Sequence, residues 1–331
     1  MAKRSIDLVS RRDFLHGATA LGGSALLAKR IALGSDSTGK SDLPRRVLGK
    51  TAEKVPVLAL GTAPCGQSKT VDTRSVIAIV NEALDLGVNY LDSARIYGNS
   101  EEAIGKALRG RRDEAFLTTK VWADDAEKAR KSFEQSLREL QTDFVDLVFV
   151  HSVGNREVDR VTADDGALKY LLGQKEAGKA RYVGISGHSR SPSFVPLLES
   201  GDIDVAMLAM NFVDRYTYKF ESQVLPVANR HNVGVACMKV FGGIRGGFSK
   251  YGGPNPGSQM AEKYFSHAVR YAMELPGVAT LVIGPHTVEQ LRENVRMVKD
   301  AQPLTDAERS DLDNIGKQLA AQWGPRFGPA V

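Results

Sequence analysis

Short apolar segments alternate with longer amphipathic segments through most of this 331-residue chain. The predicted strands are VLALG (57–61), VNYLD (88–92), AFLTTK (115–120), DLVFVH (146–151), ARYVGIS (180–186), VAMLAM (205–210), VGVACMK (233–239) and VATLVIG (278–284). Helical patterns cover TRSVIAIVNEALDLG and the ranges 100–109, 124–140, 165–177, 192–199, 219–230, 258–274, 287–299 and 305–320. Apolar strands joined by helices form parallel sheets that are buried on both faces.

Eight such strand–helix units over about 275 residues predict an α/β fold, a single (β/α)8 TIM barrel. The segment RRVLGKTAEKVPVLALG predicts an N-terminal β-hairpin that leads into the first barrel strand. An open doubly wound sheet is the alternative, but no G-x-G-x-x-G follows any strand. We therefore divide the chain into an N-terminal leader (1–34), a linker (35–44), the barrel (45–317) and a C-terminal tail (318–331).

The distribution of charge argues against a nucleic-acid partner. The formal net charge is +5, but residues 1–34 contribute +4 of it, so the rest of the chain is nearly neutral. Cys65 and Cys237 could form one long-range disulfide or remain free thiols, and the second state is favoured. The six histidines include no H-x-x-x-H pair and no cluster with cysteine, so no metal site is expected.

The leader SRRDFLHGATALGGSALLAKRIALG has a basic start, a short apolar run and small residues before position 34. Arg11 and Arg12 are followed by Phe14 and Leu15, an order that resembles a twin-arginine (Tat) signal peptide. The resemblance implies the Tat export machinery as a partner and export, to the bacterial periplasm. The apolar run of about twelve residues is too short for a stable membrane span in the mature form. A disordered tail or a retained interfacial anchor is the alternative.

Four polar residues lie where the predicted strands end. Asp92, Lys120 and His151 end or nearly end three successive strands, and Tyr97 follows in the loop after Asp92. In a barrel of this kind, the carboxyl ends of all strands face one common site. Each residue alone has a structural explanation, such as a cap or a buried histidine, but their coincidence on one barrel face favours catalysis.

This set of side chains suits proton delivery to a carbonyl oxygen. A phenol has a reference pKa of about 10, and a neighbouring ammonium favours its ionised form. Asp92 can hold Lys120 charged, so that Tyr97 acts as a general acid, while His151 orients the substrate oxygen. Because no side chain supplies a hydride, carbonyl reduction implies a nicotinamide cofactor.

The stretch LDSARIYGNSEEAIGKAL resembles the signature of the aldo-keto reductase family, with Asp92 and Tyr97 in register. LTTKV and VFVHS resemble that family's lysine and histidine segments, which completes a tetrad with Lys120 and His151. The N-terminal hairpin and VIGPHTVEQLRENV are also similar, so the resemblance covers about residues 45–317. It implies a barrel that carries out NAD(P)H-dependent carbonyl chemistry on a small-molecule carbonyl substrate.

By this resemblance, the cofactor is NADP, with NAD as the alternative. The residues implied in binding it are Gly61, Thr62, Ser186, Gly284, Gln290, Glu293 and Asn294. The chain departs from the family at Gly187, at Met207 on the sixth strand, and at Cys237, where many members stack an aromatic ring under the nicotinamide. Gly284 and Gln290 stand where cations often clamp the 2′-phosphate, and Arg292 and Lys239 are candidate substitutes.

Three functions remain open at this stage. The leading prediction is an oxidoreductase that reduces an aldehyde, a ketone or a sugar carbonyl. A cofactor-sensing regulatory protein on the same barrel is a second, and internal sugar redox chemistry with a tightly bound cofactor is a third. Substrate specificity is expected in the loops after strands one, four and seven, which include SVGNREVDRVTADD and GGIRGGFSKYGGPNPG.

Overall fold

The computed structural model describes residues 43–243 and 260–331 of the chain. Its central element is a closed barrel of eight parallel strands. The strands are β3 (Leu58–Gly61), β4 (Tyr90–Asp92), β5 (Phe116–Val121), β6 (Val145–Val150), β7 (Ala180–Gly187), β8 (Val205–Ala209), β9 (Gly234–Met238) and β10 (Val278–Ile283). They follow one another around the barrel in sequence order, and β10 closes it by pairing with β3. The predicted (β/α)8 barrel is confirmed, and each predicted strand overlaps an observed one.

A hairpin precedes the barrel, as predicted. It pairs β1 (Arg45–Val47) with β2 (Lys54–Pro56) in antiparallel fashion. Leu48, in its turn, is fully buried among side chains of the barrel interior, and the Lys50 amide donates to the Asn232 carbonyl oxygen at 2.6 Å. Because Asn232 lies just before β9, the hairpin closes the amino-terminal end of the barrel and leaves the opposite end for the site.

Helices surround the barrel and bury one face each. They are α1 (Ala63–Gln67), α2 (Thr73–Asp85), α3 (Ser100–Ala107), α4 (Ala126–Leu140), α5 (Val158–Thr162), α6 (Ala167–Glu176), α7 (Val195–Glu199), α8 (Leu225–Arg230), α9 (Phe265–Glu274), α10 (Val288–Lys299) and α11 (Asp306–Trp323). In α4, Asp125 caps the first turn by accepting from the Lys128 amide, and Ala129, Phe133 and Leu140 form the buried stripe. Two short helices, α1 and α5, lie outside the predicted helical segments.

Alternate residues of each strand belong to two different apolar clusters. On β9, Ala236 and Met238 face the barrel interior, whereas Val235 and Cys237 pack in the larger cluster between the strands and helices. This alternation follows from the period of two in an extended strand. It explains why the strands are apolar throughout, and it decides which side chains form the floor of the site. Both cysteines are buried free thiols.

The C-terminal segment is packed against the barrel. The predicted boundary at 317/318 falls inside α11, because Gly316, Ala320 and Trp323 continue its buried face. Beyond the helix, both guanidinium nitrogens of Arg326 contact the Asp214 carboxylate, at 2.6 and 2.8 Å, and the pair is buried. Residues 318–331 therefore complete the fold near the carboxyl ends of the strands.

The predicted leader and most of the linker lie outside the described residues, as does most of the glycine-rich segment after β9. Within the residues that are described, no helix combines the length and the apolarity that a membrane crossing requires.

Candidate active site

The four predicted catalytic residues come together at the carboxyl end of the barrel. Asp92 is the last residue of β4, Lys120 is the fifth residue of β5, and His151 directly follows β6. Tyr97 lies in a tight turn after β4, where its amide donates to the Ala94 carbonyl oxygen at 2.9 Å. Gly66 of α1 packs so closely that an added Cβ would lie 2.5 Å from the Tyr97 carbonyl oxygen, so glycine is needed there.

Lys120 and Asp92 form a buried ion pair. The Lys120 ammonium lies 2.6 and 2.7 Å from the two Asp92 oxygens and 2.8 Å from the Ser93 carbonyl oxygen. Burial lowers the pKa of Lys120 and raises that of Asp92, and their mutual attraction opposes both shifts. Three acceptors match the three protons of an ammonium, and Thr118 donates to Asp92 at 3.0 Å, so the geometry supports the charged pair.

Tyr97 lies between the lysine and the histidine. The Lys120 ammonium is 4.7 Å from the centroid of the Tyr97 ring, close enough for its charge to stabilise a phenolate. The rings of Tyr97 and His151 meet edge to face, with their centroids 5.7 Å apart. The structure therefore brings the phenol, the ammonium and the imidazole of the predicted tetrad into one cluster.

His151 is buried, and one of its ring nitrogens is available for a further hydrogen bond. Burial lowers its pKa well below the usual value for histidine, and the nearby charge of Lys120 adds to the effect, so the imidazole is neutral. Its Nδ1 has no hydrogen-bond partner among the described residues. Trp122 meets the imidazole edge to face at 5.3 Å and carries the Arg156 guanidinium over its own ring at 4.1 Å. This packing fixes the ring of His151 beside Tyr97.

A cavity of about 750 Å³ extends from Tyr97 to helix α10. Its volume lies within the range of sites that bind extended small molecules, which is roughly 300–1,000 Å³. Five of the predicted cofactor residues line it: Gly61, Gly284, Gln290, Glu293 and Asn294. The cavity thus joins the tetrad to the segment that resembles a cofactor-binding sequence, and its residues fit a nicotinamide dinucleotide.

Thr62 and Ser186, the other two predicted cofactor residues, are buried and do not line this cavity. Thr62 Oγ1 donates to the Asp92 carbonyl oxygen at 2.8 Å, and Ser186 Oγ accepts from the Ser152 amide at 3.2 Å. Thr62 therefore links the carboxyl ends of β3 and β4, and Ser186 links those of β6 and β7. The Ser186 contact is to the residue that directly follows His151.

The floor of the cavity contains two methionines, Met207 of β8 and Met238 of β9. Met207 occupies the place predicted from the sequence. The assignment of Cys237 to the place under the nicotinamide is wrong by one residue, because Cys237 faces the outer cluster and donates to the Met210 carbonyl oxygen at 3.2 Å. Met238, the next residue, faces the barrel interior and presents a polarizable, flexible thioether to the cavity.

Of the two cations predicted as substitutes for a phosphate clamp, one lines the cavity and the other does not. Arg292 forms an ion pair with Glu82 at 2.7 Å, on α2, and does not line the cavity. Lys239 lines the cavity, but its charge acts on the tetrad residues. The other cations along the cavity are Lys263 and Arg296, and the carboxylates Glu262, Glu293 and Asp300 accompany them.

Two further residues near the site have no counterpart among the predicted site residues: His188 and Phe327. His188 follows β7, and burial, with the charge of Lys239, lowers its pKa well below the usual value. The rings of His188 and Phe327 lie 5.3 Å apart. The strand-end argument that identified His151 applies equally to His188 and Lys239, but no sequence signal connects Phe327 to this end of the barrel.

Comparison with known proteins agrees with this geometry. The model of the Aldo/keto reductase family matches residues 57–264. Over 316 residues the chain is 28% identical to the uncharacterized oxidoreductase YqkF of Bacillus subtilis, an alignment that covers 83% of this chain and 97% of the relative. It is 26% identical to L-galactose dehydrogenase of Arabidopsis thaliana, with 78% and 89% covered. The holo form of an aldo-keto reductase from Bacillus halodurans superposes with a TM-score of 0.68 at 26% identity, over 86% of this chain and 100% of that one.

Proposed function

We propose that this chain, which belongs to the aldo/keto reductase family and is an NAD(P)-dependent oxidoreductase, reduces an aldehyde, ketone or sugar carbonyl with Tyr97 as the general acid. The observation that carries the proposal is the position of the buried Lys120 ammonium, held by Asp92 and 4.7 Å from the Tyr97 ring. The similarity to L-galactose dehydrogenase supports a sugar among the candidate substrates.

The proton transfer follows from the charges around Tyr97. When bound, a nicotinamide cofactor would supply the hydride that reduces the carbonyl carbon. Tyr97 gives its proton to the carbonyl oxygen as negative charge builds there, and the Lys120 ammonium stabilises the phenolate that remains. Asp92 keeps that ammonium charged and in place, at 2.6 Å. His151, neutral because burial lowers its pKa, orients the carbonyl oxygen with a hydrogen bond. Proton transfer from a positioned acid contributes roughly 10²- to 10⁴-fold in rate.

For the cofactor, we propose NADP, with NAD as the alternative. Gly61, Gly284, Gln290, Glu293 and Asn294 hold it along the cavity, and Thr62 and Ser186 support the backbone around it. Among the described residues, Arg296 and Lys263 are candidate cations for a 2′-phosphate, and the carboxylates Glu262, Glu293 and Asp300 line the same cavity. The ratio of NADPH affinity to NADH affinity is therefore expected to be smaller than in a protein that binds the 2′-phosphate with a bidentate arginine.

A titration of protein fluorescence with NADPH and NADH, on protein that lacks residues 1–34, tests the cofactor assignment. We expect both to bind, and Arg296→Gln to weaken NADPH more than NADH. Turnover is then measured with glyceraldehyde and with galactose. The absence of binding by either cofactor to folded, cofactor-free protein would contradict the proposal and would favour a scaffold without enzymatic activity.

Two alternative functions would use the same site, and experiments can distinguish them from carbonyl reduction with a released cofactor. The thioethers of Met207 and Met238, which line the cavity in place of polar side chains, support a cofactor-sensing protein with slow turnover. Internal sugar redox chemistry requires a cofactor that remains bound through purification. Absorbance at 340 nm and mass spectrometry of the purified protein distinguish this last function, since an ordinary reductase releases its cofactor on gel filtration.

We also propose that the protein is exported by the Tat machinery, to the bacterial periplasm. The support is the order of Arg11, Arg12, Phe14 and Leu15 before an apolar run of about twelve residues. Fractionation of cells that express the full chain tests this. We expect the protein in the periplasm, and the variant Arg11→Lys/Arg12→Lys in the cytoplasm. If the wild type and the variant were found in the same proportions in the periplasm and the cytoplasm, the proposal would be rejected.

A further inference from the structure

Arg156 is a buried cation in the loop that follows β6, and its side chain is only 6% exposed. Its Nη1 donates to both carboxylate oxygens of Asp124 at 3.0 Å, and its Nε donates to the His151 carbonyl oxygen at 3.3 Å. The guanidinium lies over the Trp122 ring, 4.1 Å from the ring centroid. One side chain therefore joins the loop after β5, which contains Trp122 and Asp124, to the main chain of His151.

The main chain around His151 is held on both sides. The His151 amide donates to the Val121 carbonyl oxygen at 2.9 Å, and the His151 carbonyl oxygen accepts from Arg156. Ser152, the next residue, has a φ of +56°, in the left-handed region that non-glycine residues rarely adopt. Its amide donates to Ser186 Oγ at 3.2 Å. Backbone strain of this kind persists where surrounding contacts enforce it, and Arg156 supplies one of these contacts.

The imidazole of His151 is held by packing. Its Nδ1 has no hydrogen-bond partner among the described residues, and the rings of Trp122 and Tyr97 meet it edge to face at 5.3 and 5.7 Å. The Trp122 side chain is itself 39% exposed, so burial alone does not fix it. The guanidinium of Arg156 covers its ring, a cation–π contact that holds the indole in place. The orientation of the imidazole thus depends on Trp122, and that of Trp122 depends on Arg156.

Arg156 is a costly choice for a contact that only fills space. Its Nη2 is buried and has no hydrogen-bond partner in the part of the chain that the structure describes, and a buried donor in that state is destabilising. Its counter-ion, Asp124, is 40% exposed, so the ion pair contributes little stability. An apolar side chain would fill the same space without these costs. Only a guanidinium combines directed N–H groups with a flat cationic face.

We propose that Arg156 is a positioning residue for carbonyl reduction: through the His151 carbonyl group and the Trp122 ring, it holds the imidazole of His151 in the orientation that binds the substrate oxygen. The inference rests on the proposed function. Arg156 does not line the cavity, so it acts through His151. Misplacement of a catalytic group by about 1 Å can cost about 10²-fold in rate, which gives such a residue a measurable effect.

A double-mutant cycle tests the inference. The four proteins are the wild type, Arg156→Met, His151→Gln and the double variant, each loaded with NADPH and mixed with excess glyceraldehyde under single-turnover conditions. Beside an intact His151, Arg156→Met is expected to lower the rate about 10- to 100-fold. In the His151→Gln background the same substitution is expected to cost less than about threefold, because the group that it positions is already absent. The Kd for NADPH is expected to be unchanged throughout.

Two further variants separate geometry from charge and from folding. Arg156→Lys keeps a cation beside Asp124 and hence the ion pair, but it lacks the planar fork, so we expect it to fold like the wild type and to lose rate as Arg156→Met does. Arg160→Met is the matched control, since Arg160 lies four residues further along and pairs with Asp165 at the surface. It is expected to react at the rate of the wild type. Urea unfolding of each variant measures its stability.

A spectroscopic readout does not depend on turnover. In cofactor-free protein, the imidazole resonances of His151 are identified by their absence in His151→Gln. We expect Arg156→Met and Arg156→Lys to shift or broaden them, and Arg160→Met to leave them in place. Unchanged resonances in both Arg156 variants would overturn the inference.

The kinetic failures are distinguishable. Equal loss of rate from Arg156→Met in both backgrounds would indicate a role in folding only, and it would overturn the inference while the proposed function stands. An active Arg156→Lys at the rate of the wild type would show that charge alone suffices, with the same consequence. If the folded, NADPH-bound wild type reduces neither glyceraldehyde nor galactose, the proposed function is rejected, and the inference with it.

Discussion

Lys120 and Asp92 form a buried ion pair in which the ammonium nitrogen lies 2.6 and 2.7 Å from the two carboxylate oxygens. The two residues are 28 positions apart and come together because β4 and β5 are neighbours in the barrel. The pair positions a positive charge 4.7 Å from the Tyr97 ring without exposing it to solvent. Its role is thus to fix a charge in place, and its disruption affects both activity and stability.

Asp92→Asn is expected to lower kcat about 10²- to 10³-fold, since Lys120 loses the counter-charge that keeps it protonated beside Tyr97. The variant also leaves a buried cation without a charged partner, at a cost of about 3–5 kcal/mol. Steady-state kinetics and thermal unfolding measure the two effects. Asp85→Asn is the control, because its pair with Arg111 is largely exposed. A fully active Asp92→Asn would contradict the role assigned to the pair.

The buried pair of Asp214 and Arg326 is expected to hold the C-terminal segment over the site. Arg326→Met leaves the Asp214 carboxylate uncompensated and is predicted to destabilise the fold by about 3–5 kcal/mol. In the double variant Asp214→Asn/Arg326→Met, part of this loss is recovered. Urea unfolding provides the measurement, with Arg309→Met as the control, since its pair with Glu274 is partly exposed and is worth at most about 1 kcal/mol. If the loss of unfolding free energy in the double variant equals the sum of the losses in Asp214→Asn and Arg326→Met, the two residues are not coupled.

Glu221 makes the stability of the fold depend on pH. Burial raises the pKa of this carboxyl to about 7, against the hydrogen bond from Tyr271 and the charge of Arg215. Between the unfolded and folded pKa values the native state binds the extra proton, so the contribution of Glu221 to stability is fully present below pH ~4.5 and is lost as pH rises through 7. The loss is on the order of 3 kcal/mol. Unfolding of Glu221→Gln at pH 5 and pH 8 is expected to show a smaller difference than the wild type, and exposed Glu199→Gln is expected to behave like the wild type.

Much of the fold and the reaction end of the site could be predicted from the sequence. Eight apolar strands in parallel order bring their carboxyl ends to one face, so Asp92, Lys120 and His151 could be grouped without knowledge of any contact. The same reasoning placed Gly61 and Gly284 at the ends of β3 and β10, which are neighbours in the barrel.

The remaining features depend on information that strand patterns do not carry. Whether Cys237 or Met238 faces the interior is a question of strand parity, and a shift of one residue reverses the answer. The contact of Arg326 with Asp214 joins residues 112 positions apart, through a segment that has no periodicity.

A comparison of wild type and Tyr97→Phe tests the central claim most directly. Both proteins, first shown to be folded and to bind NADPH with similar Kd, are mixed with an aldehyde under single-turnover conditions, and oxidation of the cofactor is followed at 340 nm. We predict that the rate falls about 10²- to 10⁴-fold in the variant, because the hydride acceptor then lacks its proton donor. Reduction by Tyr97→Phe at the rate of the wild type would contradict the assignment of Tyr97 as the general acid.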